Sequence, residues 1–244
     1  MASAAADCSS AESAVHVVAV ANDEFSPAHI FRHSAALNNY TVHLMLINRS
    51  NVAERLSPHS QKPRKLLHFL RSQCPRTVVM LVDAFDVFFH RPASIALHRF
   101  QQMRSDIVWS TEAWFSDQDK SLQPFFDELA ADAERAQMHL SHGSVRSTET
   151  TEAKRLKYRY INAGAVIGYA NALLPFATAA LAAIPERDRR CGKPQGRRCG
   201  DQWLYGWALQ QQWARWNASL DYANRLFYTA VSLEWSPSTA KAWP

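Results

Sequence analysis

Apolar residues fall along this chain in two rhythms. Unbroken, β-branched-rich runs occupy residues 15–21, 41–47, 77–82 and 106–110. Such runs predict strands, and the most continuous of them predict strands buried on both faces. Between and after them, apolar residues recur at helical spacing over 27–38, 65–73, 94–103, 122–138, 171–184 and 202–212, which predicts helices. Residues 163–169 form a further apolar segment. The polar stretch 139–155 predicts a mobile loop, and 186–200 a basic loop. Residues 1–13 read as a disordered lead-in, and 229–244 show no period. Strands that alternate with helices predict an α/β domain over 14–244, with a mostly parallel central sheet flanked by helices. Ligands of such sheets bind at the carboxyl ends of the strands. The third strand run ends directly at Asp83.

Composition narrows the ligand. The 244 residues carry 27 basic against 22 acidic side chains, a net charge of +5. That balance suits an anionic ligand such as a nucleotide, and it falls short of the dense basic stripe of a nucleic-acid binder, so no nucleic-acid partner is expected. The first of seven glycines is Gly143. Phosphate cradles of the P-loop and dinucleotide folds need glycines in an early strand-to-helix turn, which excludes ATPases, GTPases and NAD enzymes of those kinds. A nucleotide would then be held by other means, and a metal bridging carboxylate and pyrophosphate is the obvious one.

Four cysteines with no CxxC pair argue against a zinc site. Cys191 and Cys199 flank a short polar loop and suit either a bridge or two thiols. No run of 18 apolar residues is present, so no transmembrane segment is expected, and the start lacks the layout of a signal peptide. Three sequons, at Asn39, Asn48 and Asn217, permit a secretory location.

The chemistry concentrates at Asp83-Ala84-Phe85-Asp86. A buried unpaired carboxylate is costly, and two close together repel unless a cation neutralises them. Mn²⁺ or Mg²⁺ takes carboxylate oxygens and then the phosphate oxygens of a ligand. As a Lewis acid it stabilises charge on a departing diphosphate. Phe85, between the two, is placed to stack on a uracil ring. The plainer reading makes one aspartate a helix cap and leaves the other solvated.

Several segments together resemble the glycosyltransferase domain of the multifunctional collagen lysyl hydroxylases and the related procollagen glycosyltransferases. They are Val17-Val18-Ala19-Val20-Ala21, Asn39-Tyr40-Thr41-Val42, Gln61-Lys62, Asp83-Ala84-Phe85-Asp86-Val87 and Ser110-Thr111-Glu112-Ala113-Trp114. Tyr160-Ile161-Asn162-Ala163-Gly164, Asp201-Gln202 and Leu220-Asp221 with Arg225-Leu226-Phe227 complete the set. The resemblance implies a GT-A fold, a UDP-glucose or UDP-galactose donor, and Mn²⁺ held by Asp83 and Asp86. It also implies a protein or glycan hydroxyl acceptor, such as (galactosyl-)hydroxylysine of a collagen-like protein, and work in the endoplasmic reticulum or Golgi lumen.

Within that frame Lys62 pairs with a donor phosphate, or is an ordinary exposed helix lysine. Asn162 and Gly164 let backbone approach the sugar, or form a tight turn chosen for packing. Asp201 accepts a hydrogen bond from the donor sugar or acts as a base on the acceptor hydroxyl; as a helix N-cap it would serve structure. Glu112 and Trp114 follow a strand end at the same rim, Trp114 as a sugar platform or as core. The basic run around Arg187, Arg189 and Arg190 reads as a solvated face.

Two departures from the family pattern stand out. Its acidic run is reduced to Gly200-Asp201. Its metal-binding histidine lies in a glycine-rich C-terminal segment, whereas the last histidine here is His142, so the domain is expected to be truncated there. These departures keep a second reading open, a nucleotide-sugar-binding module without a complete metal site.

Overall fold

The computed structural model describes residues 8, 14–21, 28–46, 58–115, 119–141, 156, 158–192 and 199–228. Six strands make one sheet: β1 (Val15–Ala21), β2 (Thr41–Leu46), β3 (Val78–Asp83), β4 (Ile107–Glu112), β5 (Tyr160–Tyr169) and β6 (Ala218–Leu220). The helices are α1 (Ala28–Leu37), α2 (Pro58–Leu70), α3 (Ala93–Gln102), α4 (Gln123–Ser141), α5 (Ala170–Ala182), α6 (Ile184–Cys191) and α7 (Asp201–Gln211). The strand order is β2-β1-β3-β5-β4-β6. All neighbours pair parallel except β5, which runs antiparallel to both β3 and β4. The mixed α/β class with a mostly parallel sheet is therefore as the hydrophobic rhythm predicts.

The apolar runs are continuous because both faces of the sheet are covered. In β1, Val17 and Ala19 pack with Phe31 of α1 and Phe100 of α3, whereas Val18 and Val20 belong to the cluster that includes Leu66 of α2, Phe176 of α5 and Trp203 of α7. Trp109 of β4 is fully buried on this second side, with its ring 4.9 Å from Tyr205 and 5.3 Å from Phe176.

Four differences from the sequence expectations have physical causes. Helix α2 starts at Pro58, not at residue 65. Its first turns carry Ser60, Gln61 and Lys62, which are buried but polar, so an apolar-period reading passes over them. Pro63 lies inside it, beyond the first turn, and removes the one helical hydrogen bond its N–H would make to the carbonyl four residues back. The expected basic loop 186–200 contains helix α6, nucleated by Pro185 at its start and held by Glu186 to Arg189 and Arg190, three and four residues on. Arg187 there is no solvated residue: it is 3% exposed and donates to Ser60 Oγ at 2.8 Å and to Asp188 Oδ1. The apolar segment 163–169 is the second half of β5, whose first half begins at Tyr160. Short β6, held parallel to β4, has no distinctive sequence rhythm.

Both pairs of cysteines are joined, Cys8 to Cys74 and Cys191 to Cys199. The remaining expectations for 1–13, and those for 142–155, 193–198 and 229–244, lie outside the described residues. Among the described residues no helix is long and apolar enough to cross a membrane.

Candidate active site at the sheet rim

Strands β1, β3 and β4 all end at one rim, and β5, running the other way, begins there. That reversal brings Asn162 and Gly164 beside Asp83 and Glu112. The pairing of β5 with β4 is irregular at this point. Trp109 faces Val166 and Thr111 faces Ile161, so residues 162–165 stand opposite Ser110 alone. Such a bulge frees backbone groups from the ladder and re-aims side chains. Ser110 Oγ donates to the Asn162 carbonyl at 2.9 Å. The Asn162 side chain folds back to accept from the Gly164 N–H at 2.6 Å.

Lys62 is the hub. Its ammonium lies 2.5 Å from Asp83 Oδ1 and 2.7 Å from Asp201 Oδ2, and it donates to the Ala163 carbonyl in the bulge at 3.1 Å. The residue is 7% exposed, which rules out an ordinary surface lysine. Burial alone pulls its pKa down, but the Asp201 and Asp83 carboxylates outweigh that and raise it above the ordinary lysine value. At Asp83, burial raises the carboxyl pKa against the pull of Lys62, and the charges of Asp201 and Asp86 add to the rise. Two carboxylates thus share one ammonium, and the charge of exposed Asp86 acts on Asp83 from outside the pair.

Gly164 is required here by space. A Cβ on it would sit 2.7 Å from Asn162 Oδ1 and 3.2 Å from Asp83 Oδ2. Asp201 is the first residue of α7, and Gly200, not Asp201, holds the N-cap position; the Asp201 carboxylate turns to Lys62. The next residue, Gln202, is a participant that hydrophobic pattern could not reveal. Its Nε2 donates to Glu112 Oε1 at 2.6 Å, and its Oε1 accepts from the Ala163 N–H at 3.3 Å. Asn162 Nδ2 donates to the other Glu112 oxygen at 3.4 Å. Glu112, buried at the end of β4, so ties β4, β5 and α7 together through amides.

Asp86, Phe85 and Trp114 ring the outside of this network. Asp86 is exposed, Phe85 is 36% exposed, and Trp114 is 70% exposed and therefore no core residue. Asp83 keeps its side chain 40% exposed. Carboxylate oxygens are the ligands a hard divalent ion takes, and one of them, Asp83 Oδ1, faces the Lys62 ammonium at 2.5 Å. Among the described residues no group of three or more His, Cys, Asp or Glu converges to hold a metal.

The charged groups thus gather at the carboxyl rim of a mostly parallel sheet, where α/β sheets of this kind bind ligands. The chain belongs to the PLOD GT domain family, whose profile matches residues 11–136, just over half of its length. It is thus a glycosyltransferase-family domain. The matched part contains Lys62, Asp83, Asp86, Glu112 and Trp114; Asn162, Gly164 and Asp201 lie beyond it and are joined to it by the contacts above. A glycosyltransferase involved in the glycosylation of the major capsid of PBCV-1, known from a crystal structure, is similar at 10% identity and a TM-score of 0.44, over 85% of this chain and 80% of that one. No curated protein matches the chain by sequence.

Proposed function

We propose that this domain transfers a hexose, glucose or galactose, from a UDP-sugar to a hydroxyl acceptor, with a divalent cation at Asp83 and Asp86. The observation that carries the reading is the convergence of Lys62, Asp83 and Asp201 on the β5 bulge, within a chain of this family. Lys62 sets the direction of the Asp83 carboxylate and holds Asp201 Oδ2 at the rim. Gly164, having no side chain, lets Asn162 Oδ1 and Asp83 Oδ2 hold their places at the rim. Exposed Phe85 and Trp114 offer flat apolar faces for a base and a sugar ring. Asp201 is the carboxylate placed to accept a proton or hydrogen bond from a sugar or acceptor hydroxyl. Mn²⁺ or Mg²⁺, when bound, would supply Lewis-acid stabilisation of the charge left on the diphosphate. A hydroxylysine-bearing, collagen-like chain is one acceptor of the required chemistry, and a secretory lumen is the compartment such an acceptor implies.

A binding module without turnover is the second reading, favoured by the Lys62 ammonium, which faces the Asp83 oxygen that a catalytic cation would need. Donor turnover with UDP-glucose and UDP-galactose, with and without Mn²⁺, separates the two. Mn²⁺-dependent release of UDP that falls at least a hundredfold in Asp83→Ala is expected. Calorimetric binding of UDP with no turnover would favour the module, and no interaction with either UDP-sugar would sink both.

A further inference from the structure

A groove of about 300 Å³ lies on the side of the sheet that carries α1 and α3, and the transfer reading makes no use of it. One wall is the segment from Phe88 into α3, and the other is the turn 224–228. Both walls are held by side chains that grip backbone. Ser34 Oγ accepts from the Phe89 N–H at 3.0 Å, and Asn38 Nδ2 donates to the Phe89 carbonyl at 2.8 Å. Across the groove, the Asp221 carboxylate, on a residue 1% exposed, accepts from the N–H groups of Arg225, Leu226 and Phe227 at between 2.7 and 2.9 Å. Arg99 of α3 joins the two walls by donating to the Arg225 carbonyl at 2.6 Å.

The lining is apolar and cationic at once. Phe88 and Tyr228 are each 61% exposed and Ile95 is 40% exposed, and apolar side chains left in water together mark a binding surface. Arg91, Arg99 and Arg225 stand among them, all exposed, and no Asp or Glu lines the groove. Among the described residues none of these three arginines has a carboxylate partner, whereas Arg159, Arg187, Arg189 and Arg190 each have one. Aromatic side chains and arginine are the types that protein interfaces favour. A lone phosphate would answer the charge and leave Phe88, Ile95 and Tyr228 in water. An extended peptide that carries carboxylates and apolar side chains in turn answers both, its carboxylates taking charge-assisted hydrogen bonds from the guanidinium groups. A second copy of this chain placed groove to groove would set arginines against arginines.

We propose that this groove binds an acidic peptide segment of a protein partner, with apolar side chains between its carboxylates. Binding there is independent of the transfer reading and needs no UDP-sugar. Its place in the fold still connects it to the rim. Phe88 follows Asp86 by two residues, no more than about 7 Å of backbone, and the Asp221 N–H donates to the Trp109 carbonyl of β4 at 2.9 Å. A protein held in the groove therefore has its neighbouring chain beside the rim that carries Asp83 and Asp86.

The test is fluorescence anisotropy of the full chain, without UDP-sugar, against a fluorescein-labelled peptide of Glu-Pro-Leu repeats. Saturable binding that weakens as salt is added is expected, and Arg91→Glu combined with Arg225→Glu should weaken it at least tenfold, as should Phe88→Ser. A second measurement needs no variant: the same peptide with Gln in place of Glu should bind the parent chain at least tenfold more weakly. Absence of binding, equal binding of the Gln peptide, or an unchanged affinity in the double variant overturns the proposal. So does a heparin fragment that displaces the peptide and binds more tightly through the same residues, which would give the groove to a sulfated glycan. A concentration-dependent dimer that the double variant loses would give it to a second copy, and likewise overturns the proposal.

Discussion

A single lysine organises the rim. Lys62 reaches two carboxylates and a backbone carbonyl from elements far apart in sequence, and its loss would leave Asp83 and Asp201 without their cation. Breaking a buried pair costs about 3–5 kcal/mol. Asp83 is partly solvated, so for Lys62→Met we expect on the order of 2–4 kcal/mol, read as a shifted urea midpoint. Unchanged stability would mean that the ammonium is not the structural hub described. Gly164→Ala addresses the space beside it. The added methyl meets Asn162 and Asp83, and overpacking of this kind costs roughly 1–3 kcal/mol. Steady-state kinetics should show a donor kcat/KM at least tenfold lower; an unchanged value would show that Asp83 does not need its present position. At this scale the sequence was informative about which residue types mattered and silent about their partners. Asp83 announced itself as a carboxylate after a greasy run. The meeting of Lys62 with Asp201 could not be read, because it depends on how α2 and α7 pack. Gln202, hidden in a helix that reads as apolar and aromatic, was marked only by the Asp201-Gln202 segment of the family resemblance, which says nothing of its partners.

Among the elements, β1 was legible to the residue because its two faces are equally buried, and the ends of β3 and β4 nearly so. Direction was not: nothing in the composition of β5 says that it runs backwards, and that reversal is what presents its start to the site. Helix α6 was missed because charged residues at helical spacing resemble a polar loop until their mutual pairs are seen. The β1–β2 pair carries a testable property of its own. His16 Nδ1 and His43 Nε2 are 3.1 Å apart across these strands, with the rings stacked at 5.3 Å. One nitrogen must donate and the other accept, so the pair needs at least one neutral ring. Burial lowers the pKa of both, and for His16 the charge of His43 lowers it further. An imidazole depressed in the folded state binds more protons when unfolded. Its contribution is therefore complete above about pH 6.5 and declines as the pH falls from there toward the folded pKa. Melting temperatures between pH 8 and 5 should fall on the acid side, and His43→Phe, which keeps a ring against Phe69, should flatten part of that slope. An equal slope in the variant would move the effect elsewhere.

At the level of the whole molecule, the two disulfides divide their work. Cys8–Cys74 has a sequence separation of 66, and closing a loop of that size confines the unfolded chain by roughly 4 kcal/mol. Cys74 precedes β3 and so lies at the end of the sheet away from the site. Cys191–Cys199, with a separation of 8, joins the end of α6 to the approach to Asp201. Cys8→Ser with Cys74→Ser should lower the melting temperature and leave the donor KM alone. Cys191→Ser with Cys199→Ser should raise the donor KM as well, because the start of α7 loses its tether. Thermal melts and initial-rate kinetics on the two double variants check this division, and identical kinetic behaviour in both would refute it.

The irregular stretch of β5 has one more implication. A tidier pairing of β4 and β5, trimmed of its surplus backbone, would knit more ladder bonds and present a smooth rim with nowhere for a guest to settle. Selection for robustness alone would iron out that wrinkle; a sheet that keeps it has given up some regularity where it must stay open to another molecule.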